Sequence, residues 1–345
     1  MAVVPFSLSA EDVAARDCLD RFRRALRGWS ASLFDAESGG FRQSDDVGVN
    51  PLATSDMVWL RYAVGESELG APDPERVAAY LRGAQDPESG VVRHARGPGG
   101  QAHSDGHAFW QVTRALRLLG SDLEGAPGAF AALSTPEGLS AWFAARDWSA
   151  GGDGNHHEVL GLVPLVASLA DPRLSDALLR ELAAQQDPES GTWPRGAAHP
   201  NISRTFAYTA IFAAAGRLPG LAPRIVDAVL DHQRPNGFWD LERPHFHTMD
   251  AAYLLARVPP RVSHREADAA QALRRLGEAT RAALLRDQDA YASNPHAVLA
   301  LAHTLGILQE AFPDEFRSTP RYRFDWDVLA QYASPTLARG ARASS

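Results

Sequence analysis

Lysine is missing from this chain: all 34 basic residues are arginine. A lysine Schiff base and a Walker-type phosphate-binding lysine are thereby excluded. The single cysteine, Cys18, has no partner for an intramolecular disulfide and cannot build a thiolate metal cluster. It shares the apolar stripe of an expected first helix with Val13, Phe22 and Leu26, and reads as a small buried hydrophobe. Basic residues are outnumbered by 42 acidic ones, giving a formal charge of −8 and no cationic surplus for nucleic acid or an anionic membrane. No run approaches the ~18 consecutive apolar residues of a membrane span. The first ten residues lack the basic start and long apolar core of a secretory signal. Sustained period-2 alternation, the signature of strands, is absent as well. These absences lead to the expectation of a cytoplasmic protein with a small-molecule substrate and no nucleic-acid or membrane partner. They leave the oligomeric state open.

What is present is a soluble composition, 45% hydrophobic and 22% charged, and a repeated turn. Gln85-Asp86-Pro87-Glu88-Ser89-Gly90 returns as Gln186-Asp187-Pro188-Glu189-Ser190-Gly191. Looser copies begin at Phe34 and Gln233. Clear copies lie roughly 50 residues apart, or a multiple of that, the period of stacked helical hairpins. Each follows an Ala/Leu/Arg-rich run and leads through a polar loop into a more apolar one. Six pairs can be traced: 11–32 with a run from Ser55; 74–83 with 104–119; 136–146 with 155–169; 172–184 with 203–215; 221–232 with 248–257; and 265–286 with 295–309. Ser55, Asn155, Ser203 and Asn294 read as helix caps, and Pro295 suits a first helical turn.

The first helix of each pair is amphipathic, whereas the second is apolar on nearly all faces, as expected of an outer and an inner ring. The fold class expected is all-α: an (α/α)6 barrel, or toroid, of six helical hairpins, with an open solenoid as the alternative. One toroid domain would span residues 1–311, and residues 312–345 would form a C-terminal extension, disordered toward its end.

The segment Gln186-Asp187-Pro188-Glu189-Ser190-Gly191-Thr192-Trp193 resembles the Gln-and-Trp repeat of terpenoid cyclases and protein prenyltransferases, which are α/α toroids. Gly97-Pro98-Gly99-Gly100-Gln101-Ala102-His103, leading to Trp110, is similar to a prenyltransferase repeat. Gly39-Gly40-Phe41-Arg42-Gln43 followed by Ser55-Asp56 is similar to the hairpins of six-hairpin sugar enzymes such as uronyl hydrolases, epimerases and lyases. Asn155-His156-His157 resembles the Asn-His pairs of toroidal lyases. The resemblance implies the toroid fold but no activity. The cyclases' Asp-x-Asp-Asp motif does not occur, with Ser44-Asp45-Asp46 a poor match. The prenyltransferases' Asp, Cys and His zinc set cannot be built with only Cys18.

In such a barrel the inner helices start at one mouth, where free N–H groups and partial positive charge gather. The residues at those starts are Asp56; His103, Asp105 and His107; Asn155, His156, His157 and Glu158; His199, Asn201 and Arg204; His245, His247 and Asp250; and His296. Eight of the 12 histidines fall there, which scattered surface histidines would not do. Taken singly, each has a plainer role. The carboxylates favour a helix first turn, the asparagines cap, and a lone histidine packs. Taken singly, Trp59, Trp110, Phe206 and Tyr253 read as core, and Trp193 and Trp239 as staples beside the repeat turns.

Two chemistries fit the cluster. In one, His107, His157 and His247 act as general acids and bases with Asp105, Glu158 and Asp250 as catalytic partners. Asp56, Trp110, Asn155, His156, Arg204 and His296 would then bind substrate, with Arg204 on a carboxylate. In the other, His245, His247 and Asp250 hold a divalent metal, zinc, iron or manganese; no cofactor motif settles the choice. The leading reading is an enzyme acting on a polar, sugar-derived substrate as a hydrolase, lyase or epimerase. The alternatives are a terpenoid cyclase or prenyltransferase-like enzyme, disfavoured by a mouth with one clear arginine, and a non-catalytic toroidal binding scaffold.

Overall fold

The computed structural model describes residues 18–43, 48–65, 73–92, 105–124, 128–149, 156–239, 245–286, 294–316 and 321–324. These residues are helical, with only isolated bridge pairs such as Phe34 with Phe41 and no strand among them. No helix among them is long and apolar enough to cross a membrane. The chain divides into two compact units. Among the described residues, unit one is drawn from those up to Pro74 and from Pro223–Phe324, and unit two from Glu75–Ala222.

Unit one carries the hairpin of α1 (Cys18–Leu33) and α2 (Pro51–Ala63), and unit two those of α3 (Pro74–Gly83) with α4 (Asp105–Leu118), α5 (Pro136–Ala144) with α6 (His156–Leu169), and α7 (Pro172–Ala184) with α8 (Ile202–Ala214). The chain then returns to unit one through α9 (Ala222–Asp231), α10 (Phe246–Arg257), the single turn α11 (Pro259–Val262), α12 (Glu266–Arg286) and α13 (Pro295–Ala311). In unit one, α13 packs between α2 and α10 with α12 outside it. In unit two, α6 packs between α4 and α8, while α5 lies against α7. The central helices are buried all round, which explains their lack of a polar face. Every residue of α13 from Ala297 to Gln309 is buried, and so is Val159 to Val166 in α6.

The repeated motif is one turn built several times. Asp86 Oδ1 accepts the backbone N–H groups of Glu88 and Ser89, while the Gln85 side chain reaches over to donate to the Gly90 carbonyl at 2.9 Å. Asp187 does the same with Glu189 and Ser190, and Gln186 donates to the Gly191 carbonyl at 2.7 Å. Asp35 closes its copy on Ser38, and Gln233 its copy on the Gly237 carbonyl. Gly90 and Gly191 both sit at φ +71°, in the left-handed region that a side chain disfavours, so the glycine ends the motif for a backbone reason. A staple completes the module. The indole N–H groups of Trp148, Trp193 and Trp239 donate to the Phe143, Leu182 and Val229 carbonyls at 2.8, 2.8 and 2.7 Å. Each thereby satisfies a carbonyl at or near the end of the preceding helix.

Several helix starts lie elsewhere than the sequence pattern suggests. α2 begins at Pro51, capped by Asn50, whose Oδ1 accepts the Ala53 N–H at 2.8 Å; Ser55, expected as the cap, is buried inside the helix. α8 is capped by Asn201 on the Arg204 N–H at 2.9 Å, so Ser203 lies within its first turn. The cap of α13 is Asn294, followed by Pro295, as expected. Thr54 and Thr205, four residues after their caps, accept the N–H of Phe41 and Trp193 and tie each turn to the helix that follows it. The residues after Ala311 that sequence sets apart as an extension join unit one as far as Phe324. Gln309 accepts the Tyr322 N–H at 2.7 Å, and Phe324 meets Tyr253 and His303. Residues 325–345, the Cys18 side chain, His103, Asn155, the Gly97–Gly100 stretch and Ser44-Asp45-Asp46 lie outside the described residues.

Candidate active site

In unit one, capping by Asn50 puts Asp56 on the second turn of α2, only 4% exposed. His296 follows Pro295 on α13, and its backbone N–H is fixed by Asn294 Oδ1 at 3.0 Å. Its ring Nδ1 stands 2.9 Å from Asp56 Oδ2, across 240 residues of sequence. Phe246, the first residue of α10, stacks on that ring at 3.8 Å between centroids and 28°. A carboxylate only accepts, so Nδ1 carries the hydrogen and Nε2 is the basic nitrogen of the neutral ring. The other carboxylate oxygen, Asp56 Oδ1, is buried with no protein partner among the described residues, and so is the adjacent Ser55 hydroxyl.

His245 is the N-cap residue of α10, in extended backbone, with its ring edge-on to His247 at 6.1 Å. Asp250 is taken into the helix packing, 2% exposed. No three histidine, cysteine or carboxylate side chains among the described residues are grouped to hold a metal ion. The His245–His247–Asp250 ligand set expected from sequence is therefore not assembled in this arrangement.

In unit two, α4 and α6 approach backbone to backbone through glycine. A Cβ on Gly106 would stand 2.8 Å from Glu158 Cα, and one on Gly161 2.6 Å from Gly106 Cα. The close approach brings the first turns together, and His107 stacks on His157 at 4.5 Å and 29°. His156 lies 4.1 Å from His157, and Trp110 5.6 Å from His107, with the Arg114 guanidinium over its ring.

Glu158, expected beside His157, instead accepts Arg146 Nε at 3.1 Å, and Arg146 lies flat over Trp142 at 4.0 Å. Arg146 also lines a pocket of about 310 Å³ with Trp148, Glu181 and Arg195. Asp105 is exposed at the start of α4, and His199 is exposed in the loop before α8. Arg204 occupies the first turn of α8, one turn before Tyr208. The Tyr208 hydroxyl is buried and unpartnered among the described residues. Burial pushes that phenol well above its usual range; Glu158 adds to the shift and Arg204 opposes it. Phe246, Arg146 and Tyr208 were not singled out in sequence. Only Tyr208 left a trace there, its i+4 spacing from Arg204.

Comparison with protein-family models, curated proteins and solved structures returns no match. The functional reading therefore rests on the residues themselves.

Proposed function

We propose that this chain is an enzyme performing general acid–base chemistry on a polar, sugar-derived substrate, as a hydrolase, lyase or epimerase. The observation that carries the reading is the Asp56–His296 dyad: a buried carboxylate orients an imidazole that is further held by a stacked phenylalanine. This is the geometry of a base and its orienting group. His296, placed among the binding residues on sequence grounds, takes the role of base, and Asp56 positions it. The His107–His157 stack of unit two supplies a second group of titratable rings for the same class of chemistry. The six-hairpin barrel is the architecture this reading assumes. It is supported by the repeated turn and by the row of three inner helices in each unit.

The test is turnover of a panel of glycosides and uronates. His296→Gln should lower kcat by about 10² or more, the contribution of a positioned general base. Asp56→Asn should lower it too and distort the pH profile, because an amide no longer favours the Nδ1–H tautomer. Unchanged turnover in His296→Gln, with the fold intact by circular dichroism, would remove the dyad from the mechanism. Thermal protection by prenyl diphosphates but not by sugar acids would favour the isoprenoid alternative.

A further inference from the structure

We propose that Tyr208 and Arg204, on α8, form a binding site for a carboxylate-bearing ligand in unit two, the tyrosine donating its hydrogen and the arginine pairing with the charge. Tyr208 is 1% exposed, and its hydroxyl has no hydrogen-bond partner among the described residues. A buried hydroxyl without a partner is destabilising, because it has given up its bonds to water. Phenylalanine would fill the same volume without that cost, as Phe206 and Phe212 do on the same helix. Packing therefore explains the ring, whose edge meets Trp193 at 5.5 Å, but not the oxygen.

The surroundings indicate what the oxygen would meet. Arg204 lies one helical turn away on the same face, so its guanidinium and the phenol can address one ligand. Glu158 is near enough to act on Tyr208 electrostatically, yet its own charge is engaged by Arg146 at 3.1 Å. The phenol stays protonated at neutral pH and so offers a donor. A donor beside a guanidinium selects an acceptor that carries negative charge, and the planar guanidinium matches a carboxylate. The ligand class is thus an organic acid, and for a sugar-derived ligand a uronate. The inference stands on unit two alone; it can fail while the Asp56–His296 reading holds, and the reverse.

The experiment is calorimetric titration of the whole protein with galacturonate, galactose and inorganic phosphate, repeated on Tyr208→Phe and Arg204→Gln, with thermal unfolding of each. Expected are binding of galacturonate but not of galactose, about tenfold or greater weakening in Tyr208→Phe, and a greater loss in Arg204→Gln. The melting temperature of Tyr208→Phe should stay equal to that of the native protein or rise. A fall in that melting temperature would mean that the hydroxyl has a structural partner, and would overturn the proposal. So would galacturonate affinity unchanged in both variants, equal binding of galactose, binding of phosphate in place of galacturonate, or no binding of galacturonate at all.

Discussion

Replacing Gly106 with alanine tests whether the glycine contact between α4 and α6 is as tight as it looks. The added Cβ would stand 2.8 Å from Glu158 Cα and 3.0 Å from the His157 carbonyl oxygen. The first distance is 0.6 Å short of the 3.4 Å at which ordinary contact begins, and both obstructing atoms are backbone, which cannot rotate away. The helices must separate, and overpacking of this kind costs about 1–3 kcal/mol. Alanine also favours a helix over glycine by roughly 1 kcal/mol, which would mask part of the loss. Gly28→Ala supplies the correction. Gly28 lies exposed in α1 with nothing within 4 Å of its added Cβ, so that variant reports the propensity gain without the clash. The difference between the two variants then isolates the overpacking, about 1–3 kcal/mol. Urea titration followed by circular dichroism measures both, and the histidine ring resonances in NMR report whether the His107–His157 stack persists. A difference below about 0.5 kcal/mol, with those resonances unmoved, would refute the close approach.

Two further outcomes follow from the repeated turn. Trp193→Phe removes both the indole N–H that bonds the Leu182 carbonyl and part of a fully buried ring, so it should cost at least about 1–3 kcal/mol in the same titration; a neutral result would show that the staple is dispensable. Asp187 is held down to about 2, first by the Gly196 N–H and then by the Ser190 N–H. A carboxylate depressed in the folded state stabilises fully above its unfolded pKa of about 4, and that contribution is lost as pH falls toward 2. Asp187→Asn should therefore flatten the decline of the melting temperature between those pH values, and an unchanged decline would contradict the assignment.

The turns were legible because everything that makes them is local. Asp187, Gln186 and Gly191 lie within six residues, so their spacing is itself the structure. Helix starts were less so. The polar loop before Ser55 contains both Asn50 and Ser55, and either could cap. Pro51 prefers the first helical position and decides for Asn50, a cue the pattern of apolar residues does not carry. The histidine bias at the helix starts is visible in the sequence, but which side chains meet is not, because partners come from other helices. Glu158 is adjacent to His157 in sequence, yet it points to Arg146. Asp56 finds His296 only because α2 and α13 are neighbours in space. Tyr208 was not singled out, since a missing hydrogen bond has no sequence signature.

The self-contained turn also has a consequence for how such a chain can grow. In the Asp187 copy the polar groups are answered within ten residues, and the indole anchors to the helix just completed, so that hairpin carries much of its own boundary. A copying event that falls at such a boundary inserts a unit whose end is already closed. The stretch between Gly196, whose N–H holds Asp187, and the cap Asn201 is the part that can change length without removing a bond of the turn. That is where one hairpin could come to differ from another in what it recognises.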